Sequence, residues 1–113
     1  MAECLFCDID QGRAQADFLY RDDRVFVIRD KFPAAPTHLL VIPHQHIGML
    51  AETKASQERL LGHLFLVAEE VAQKEGLAPG GYRLAMNQGA DAGMHIAHLH
   101  LHVLGGRQLG AMG

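Results

Sequence analysis

Apolar positions along the chain switch between a spacing of three to four residues and a spacing of two, and these switches divide it into an α+β series of elements. Leu5, Phe6 and Ile9 fall at helical spacing within residues 4–10, and Gln11-Gly12 closes a short helix there. Phe18-Leu19-Tyr20 and Val25-Phe26-Val27-Ile28 are short runs of aromatic and β-branched residues. The polar residues Arg21 to Arg24 between them predict an antiparallel hairpin. Two prolines make residues 31–36 a loop. Leu39-Leu40-Val41-Ile42, stopped by Pro43, is apolar at every position, which predicts a central strand covered on both faces.

Ser56 is placed to cap a long helix running to about Glu75, with Gly76 ending it in the left-handed region. Leu60, Leu64, Val67 and Val71 form one stripe; Leu61, Phe65, Ala68 and Ala72 form another beside it. This face is wider than one sheet contact needs. Deep burial in a monomer or a second copy of the chain would each account for it. Residues 82–87 predict a further strand, 88–93 a glycine-rich loop and 98–104 the last strand. No repeat or linker divides the sequence, so residues 1–113 are expected to form a single domain.

Composition removes several classes of function. Ten Lys+Arg against 13 Asp+Glu give a net charge of −3, without the basic excess of a protein that grips nucleic acid. The longest nearly uncharged apolar stretch, Leu60 to Ala68, is far short of the ~20 residues that cross a bilayer, so no membrane partner is expected. Met1-Ala2-Glu3-Cys4 is acidic and lacks the features of a secretory signal, which predicts a cytoplasmic protein. Cys4 and Cys7 are too close together to staple a small domain by a disulfide.

Histidine changes the picture. The chain has eight, four of them between His95 and His102. In His98-Leu99-His100-Leu101-His102-Val103 the alternation puts three imidazoles on one strand face and Leu99, Leu101 and Val103 on the other. Alternate residues on one face lie ~7 Å apart, a spacing that suits a central nucleophile flanked by donors around a phosphate. A metal-sequestering patch and a strand with incidental histidines are the competing readings. Residues 87–93 offer the Asn87 amide and exposed backbone N–H groups, the material of an anion-binding concavity or of an ordinary turn.

The run from His98 to Leu104 resembles the His-φ-His-φ-His-φ-φ signature of the histidine triad family, φ being apolar. The resemblance extends over Cys4-Leu5-Phe6-Cys7, Tyr20-Arg21-Asp22-Asp23-Arg24, Asp30, Ala35-Pro36-Thr37-His38, Leu40-Val41-Ile42-Pro43, His46-Ile47, Gly81-Tyr82-Arg83 and His102-Val103-Leu104-Gly105-Gly106-Arg107. Within the family it looks like the Hint branch, the nucleoside phosphoramidases. The fold this implies is a five-stranded antiparallel sheet with one short and one long helix, paired as a two-fold dimer with a continuous sheet. The implied activity is hydrolysis of a purine nucleoside phosphoramidate, with no cofactor required for catalysis. His100 would be the nucleophile and form a nucleotidyl-histidine, while His98 and His102 would orient it and donate to phosphate oxygens. His38 would support the triad strand. Asp30 matches the position that binds the ribose hydroxyls; Leu5, Phe6, Ile9 and Ile28 match the base pocket; Asn87, Gly93, Met94 and His95 match the phosphate-binding loop.

Two features depart from that pattern. Met94-His95 stands where the branch usually has Gln-Ser, which makes His95 a candidate general acid for the departing amine. The sequence ends without the branch's Trp-Pro-Pro and has no Trp at all. Some bacterial relatives hold zinc with residues matching Cys4, Cys7, His46 and His98, and all four are present here. His44 and His63 are expected on the surface. A nucleotide-binding regulatory module with little turnover is the alternative to the enzyme, and metal storage ranks third.

Overall fold

The computed structural model describes residues 4–113; Met1 to Glu3, and most of the acidic stretch considered above, lie outside the described residues. The elements are α1 (Leu5–Asp10), β1 (Phe18–Arg21), β2 (Val25–Arg29), β3 (Thr37–Pro43), α2 (Glu58–Lys74), β4 (Tyr82–Ala85) and β5 (Leu101–Gly105), with short 3-10 turns in the β3–α2 and β4–β5 connections. The strands form one sheet in the order β1-β2-β3-β5-β4, and each neighbouring pair is antiparallel. β3 is central, as its uninterrupted apolar run predicts. Alternation along it sends Leu39 and Val41 to the face under α2, and Leu40 and Ile42 to the opposite face.

On the first face Leu64, Val67, Ala68, Val71 and Ala72 of α2 pack against Val25, Val27, Leu39, Val41, Leu101 and Val103. Phe6 and Ile9 of α1 cover the second face over Phe26, Ile28, Leu40 and Ile42. The sheet is thus sandwiched between a long helix and a one-and-a-half-turn helix. α1 is too short to form alone; Cys4 caps it, its extended backbone letting Sγ accept from Cys7 N–H at 3.4 Å. The hairpin turn is set by Asp22, whose Oδ1 accepts from the N–H groups of Arg24 and Val25 at 2.7 and 2.8 Å.

Several boundaries move. Ser56 does not cap α2: it lies inside a 3-10 turn, Ala55–Gln57, that leads into the helix, and Gln57 Oε1 accepts instead from Lys54 N–H at 2.8 Å. The last strand begins at Leu101 rather than His98, because His98 N–H turns back to Ile96 O and Leu99 N–H reaches Ile47 O in the loop after β3. β4 ends at Ala85, two residues early. Gly76 does adopt φ +76° just beyond α2. The second stripe of α2 is only partly covered: Ala68 and Ala72 are buried, while Phe65 is 49% exposed and its neighbour Leu66 72%. Among the described residues no helix is long and apolar enough to cross a membrane.

Candidate active site

Between α1, the β2–β3 loop and the segment leading into β5 lies a cavity of about 1090 Å³. α1 and β2 supply an apolar wall of Leu5, Phe6, Ile9 and Ile28, ending at Asp30. The β4–β5 connection and β5 supply a polar wall of Asn87, Gly93, His95, His100 and His102. A flat apolar group and an anionic one can therefore be held at the same time.

The hydrogen bonds fix a tautomer for each triad histidine, since a backbone N–H can only donate and a carbonyl only accept. His100 Nδ1 lies 2.7 Å from His98 O, so Nδ1 donates. Its Nε2 keeps the lone pair, and no hydrogen bond among the described residues engages it. Ala34 N–H donates to His38 Nδ1 at 3.0 Å, so His38 carries its proton on Nε2 and donates to His102 Nδ1 at 2.8 Å. His102 consequently presents an Nε2–H. This group is buried and has no acceptor among the described residues, with the His100 ring 5.0 Å away. A nucleophilic lone pair and an unsatisfied donor thus stand side by side at one wall, the pairing that attack on a phosphoryl group requires.

Burial keeps these rings neutral. Desolvation lowers His38, His98 and His100 below the ordinary histidine range, and burial followed by repulsion from His100 and His38 takes His102 down to about 4. Asp30 opposes the shift only weakly. Its Oδ2 lies 3.4 Å from His38 Nε2, and its Oδ1 accepts from Phe32 N–H at 2.8 Å.

His98 differs from the expectation. It is fully buried and does not line the cavity: its Nε2–H donates to Pro43 O at 2.8 Å, and its Nδ1 faces Cys4 Sγ at 3.3 Å and Cys7 Sγ at 3.6 Å. Both nitrogens are occupied, so His98 orients His100 through its carbonyl but has no donor left for a phosphate. Cys7 Sγ also lies 3.3 Å from His46 Nδ1, and the four ligand atoms of Cys4, Cys7, His46 and His98 fall within 4.8 Å of one another. Burial first, then neighbouring Cys4, push the Cys7 thiol up to about 11.

Met94 is not among the cavity-lining residues; its Sδ accepts from Gly89 N–H at 3.4 Å inside the loop. His38 stands behind His102, its Nε2 2.8 Å from His102 Nδ1. His44 and His63 are not free surface groups. His44 bridges Asp10 and Asp22 O at 2.8 Å each and stacks on Phe26, and His63 Nε2 lies 2.7 Å from Asp22 Oδ2. Lining residues that pattern reading missed include Leu40, Lys31 and Phe32. Alternation along β3 was enough to place Leu40 on the Ile42 face; the two loop residues gave no periodic signal.

The HIT domain model matches residues 11–109. The chain belongs to the HIT domain family. It is 42% identical over 110 residues to the purine nucleoside phosphoramidase of Escherichia coli K12, covering 97% of this chain and 92% of that protein. The crystal structure of a HIT family hydrolase from Legionella pneumophila superposes with a TM-score of 0.91 at 42% identity, covering 94% of this chain and 95% of the other. A HIT family hydrolase from Clostridium thermocellum superposes at 0.93 with 40% identity, covering 98% and 96%. The five-stranded antiparallel sheet with its short and long helices is the HIT fold.

Proposed function

We propose that this HIT protein is a purine nucleoside phosphoramidase working through a nucleotidyl-histidine. The observation that carries this reading is the free Nε2 lone pair of neutral His100 beside the unsatisfied Nε2–H of His102 in a cavity that also offers an apolar wall. His100 Nε2 attacks the α-phosphorus, the phosphorus–nitrogen bond breaks, and the departing amine takes its electron pair and a proton. His95, on the same wall, supplies that proton. Water then attacks phosphorus and gives its proton back to His95, the bond to Nε2 breaks, and the nucleoside monophosphate leaves with neutral His100 and the acid form of His95 restored. His102 donates to the phosphoryl oxygen in both steps, where charge builds up. Asn87 and the Gly93 backbone hold the phosphate, Met94 shapes their loop from behind, Asp30 accepts from the ribose hydroxyls, and Leu5, Phe6, Ile9 and Ile28 hold the base.

No cofactor enters this chemistry. The Cys4, Cys7, His46 and His98 cluster fits a structural zinc: two sulfur and two nitrogen donors make a closed tetrahedral set, and the His98 Nε2–H bond to Pro43 O aims the Nδ1 lone pair at the thiols. When bound, the metal would tie α1 to the segment that carries His100. The working unit is a homodimer in which a second copy covers Phe65 and Leu66 and the sheet continues across the edge strand β4. Its free cysteines suit the reducing cytoplasm.

Turnover of a fluorogenic adenosine phosphoramidate, measured beside binding of AMP, tests the assignment. The wild type should do both. His100→Ala should lose hydrolysis and the nucleotidylated protein seen by mass spectrometry after quenching, while binding AMP within about tenfold. Binding without turnover by the wild type would select a nucleotide-binding module instead.

A further inference from the structure

Two of the large apolar side chains left exposed line the cavity: Leu5 on α1, 50% exposed, and Phe32 on the β2–β3 loop, 83% exposed. Leu5 rides on a helix whose other apolar residues are buried. Phe32 has no such excuse, since a solvated benzyl side chain keeps most of its apolar area in water and gains nothing from folding. Its backbone, in contrast, is tightly held. Asp30 Oδ1 accepts from Phe32 N–H at 2.8 Å, Oδ2 of the same carboxylate faces His38, and Pro33 follows directly. The Phe32 ring therefore starts from a fixed point, two residues from the proposed ribose anchor, at the mouth of the cavity.

A base lying on Phe6, Ile9 and Ile28 buries one of its flat faces and leaves the other toward that mouth. We propose that Phe32 is a specificity-determining residue that stacks on this outer face of the base; the inference rests on the nucleotide reading of the cavity. Stacking scales with overlap, so the two fused rings of a purine gain more from Phe32 than the single ring of a pyrimidine. The phenyl ring touches no reacting atom. Its contribution falls on substrate affinity and base selectivity rather than on the chemical step. The Asp30 carboxylate links the two subsites, holding the loop that presents Phe32 and taking the sugar hydroxyls beside it.

The chain contains no Trp, so Phe32→Trp places a single indole at the cavity mouth. Its emission should be quenched saturably by AMP, and at much higher concentration by CMP. With adenosine and cytidine phosphoramidates as paired substrates, Phe32→Ala should raise KM for adenosine roughly ten- to a hundredfold, the range expected on removing a base-stacking aromatic. KM for cytidine should change little, kcat should hold within about twofold, and Phe32→Tyr should restore the adenosine value. Unchanged KM for both substrates, an equal rise for both, or indole emission indifferent to AMP, each with normal wild-type turnover, would overturn the role of Phe32 alone. A wild type that neither binds nor hydrolyses the adenosine substrate would overturn the phosphoramidase reading and this inference with it.

Discussion

His38 Nε2 stands 2.8 Å from His102 Nδ1, and because Ala34 N–H already occupies His38 Nδ1, the contact runs one way, from His38 to His102. The relay works only while both rings are neutral, and burial holds both below the usual histidine range. The groups facing His102 are His38, His100 and Asp30, and only Asp30 favours its charged form.

Stability should therefore fall with pH on the acid side of neutrality. The unfolded chain takes up a proton on His102 near the ordinary value of 6.5, the folded one only at about 4, so between these values the unfolded state binds more protons and is favoured as pH drops. The loss should be roughly 1 kcal/mol per pH unit from this residue. Urea denaturation of wild type and His102→Asn from pH 7 to pH 4 checks this: the variant should show the shallower slope, and parallel slopes would remove His102 from the account.

Asp30→Ala should raise KM about tenfold and weaken the preference for ribose over deoxyribose substrates, since one carboxylate can accept from both vicinal hydroxyls. Steady-state kinetics on the two sugars decide it. A variant that still discriminates as the wild type does would show that the ribose is read elsewhere.

His95 should matter in proportion to how badly the leaving group needs a proton. His95→Ala should slow alkylamine substrates by roughly 10² to 10⁴ and leave substrates with activated phenol leaving groups nearly untouched. His95→Ser should recover part of the loss. Equal losses on both substrate types would identify His95 as a phosphate ligand.

Protein prepared without chelator should carry about one zinc per chain by elemental analysis, and Cys4→Ser or Cys7→Ser should abolish it. Stripping the metal should lower Tm while leaving measurable phosphoramidate turnover, because no catalytic step passes through the cluster. Metal-free preparations with the same Tm as zinc-supplemented ones would leave the four residues a thiol–imidazole cluster only.

The sequence by itself determined what depends on local pattern. The uninterrupted apolar run of β3, the helical stripes of α2 and the alternation after His98 each bury a definite face, and that was enough for the fold class, the central strand and the sorting of Leu99, Leu101 and Val103 away from the histidines. Resemblance added candidate roles to residues that pattern alone leaves silent, such as Asp30 and Asn87. Tertiary structure decided what depends on partners distant in the chain. His98 belongs to the Cys4 and Cys7 side rather than to the cavity because Pro43 O, 55 residues away, takes its Nε2–H. The last strand starts late because Leu99 N–H is claimed by Ile47 O. His44 and His63 are half-buried and hydrogen-bonded rather than free in solvent because Asp10 and Asp22 are brought to them from α1 and the hairpin turn. Hydrogen-bond direction is a property of pairs, and periodicity in one segment carries no information about the partner that another segment will bring.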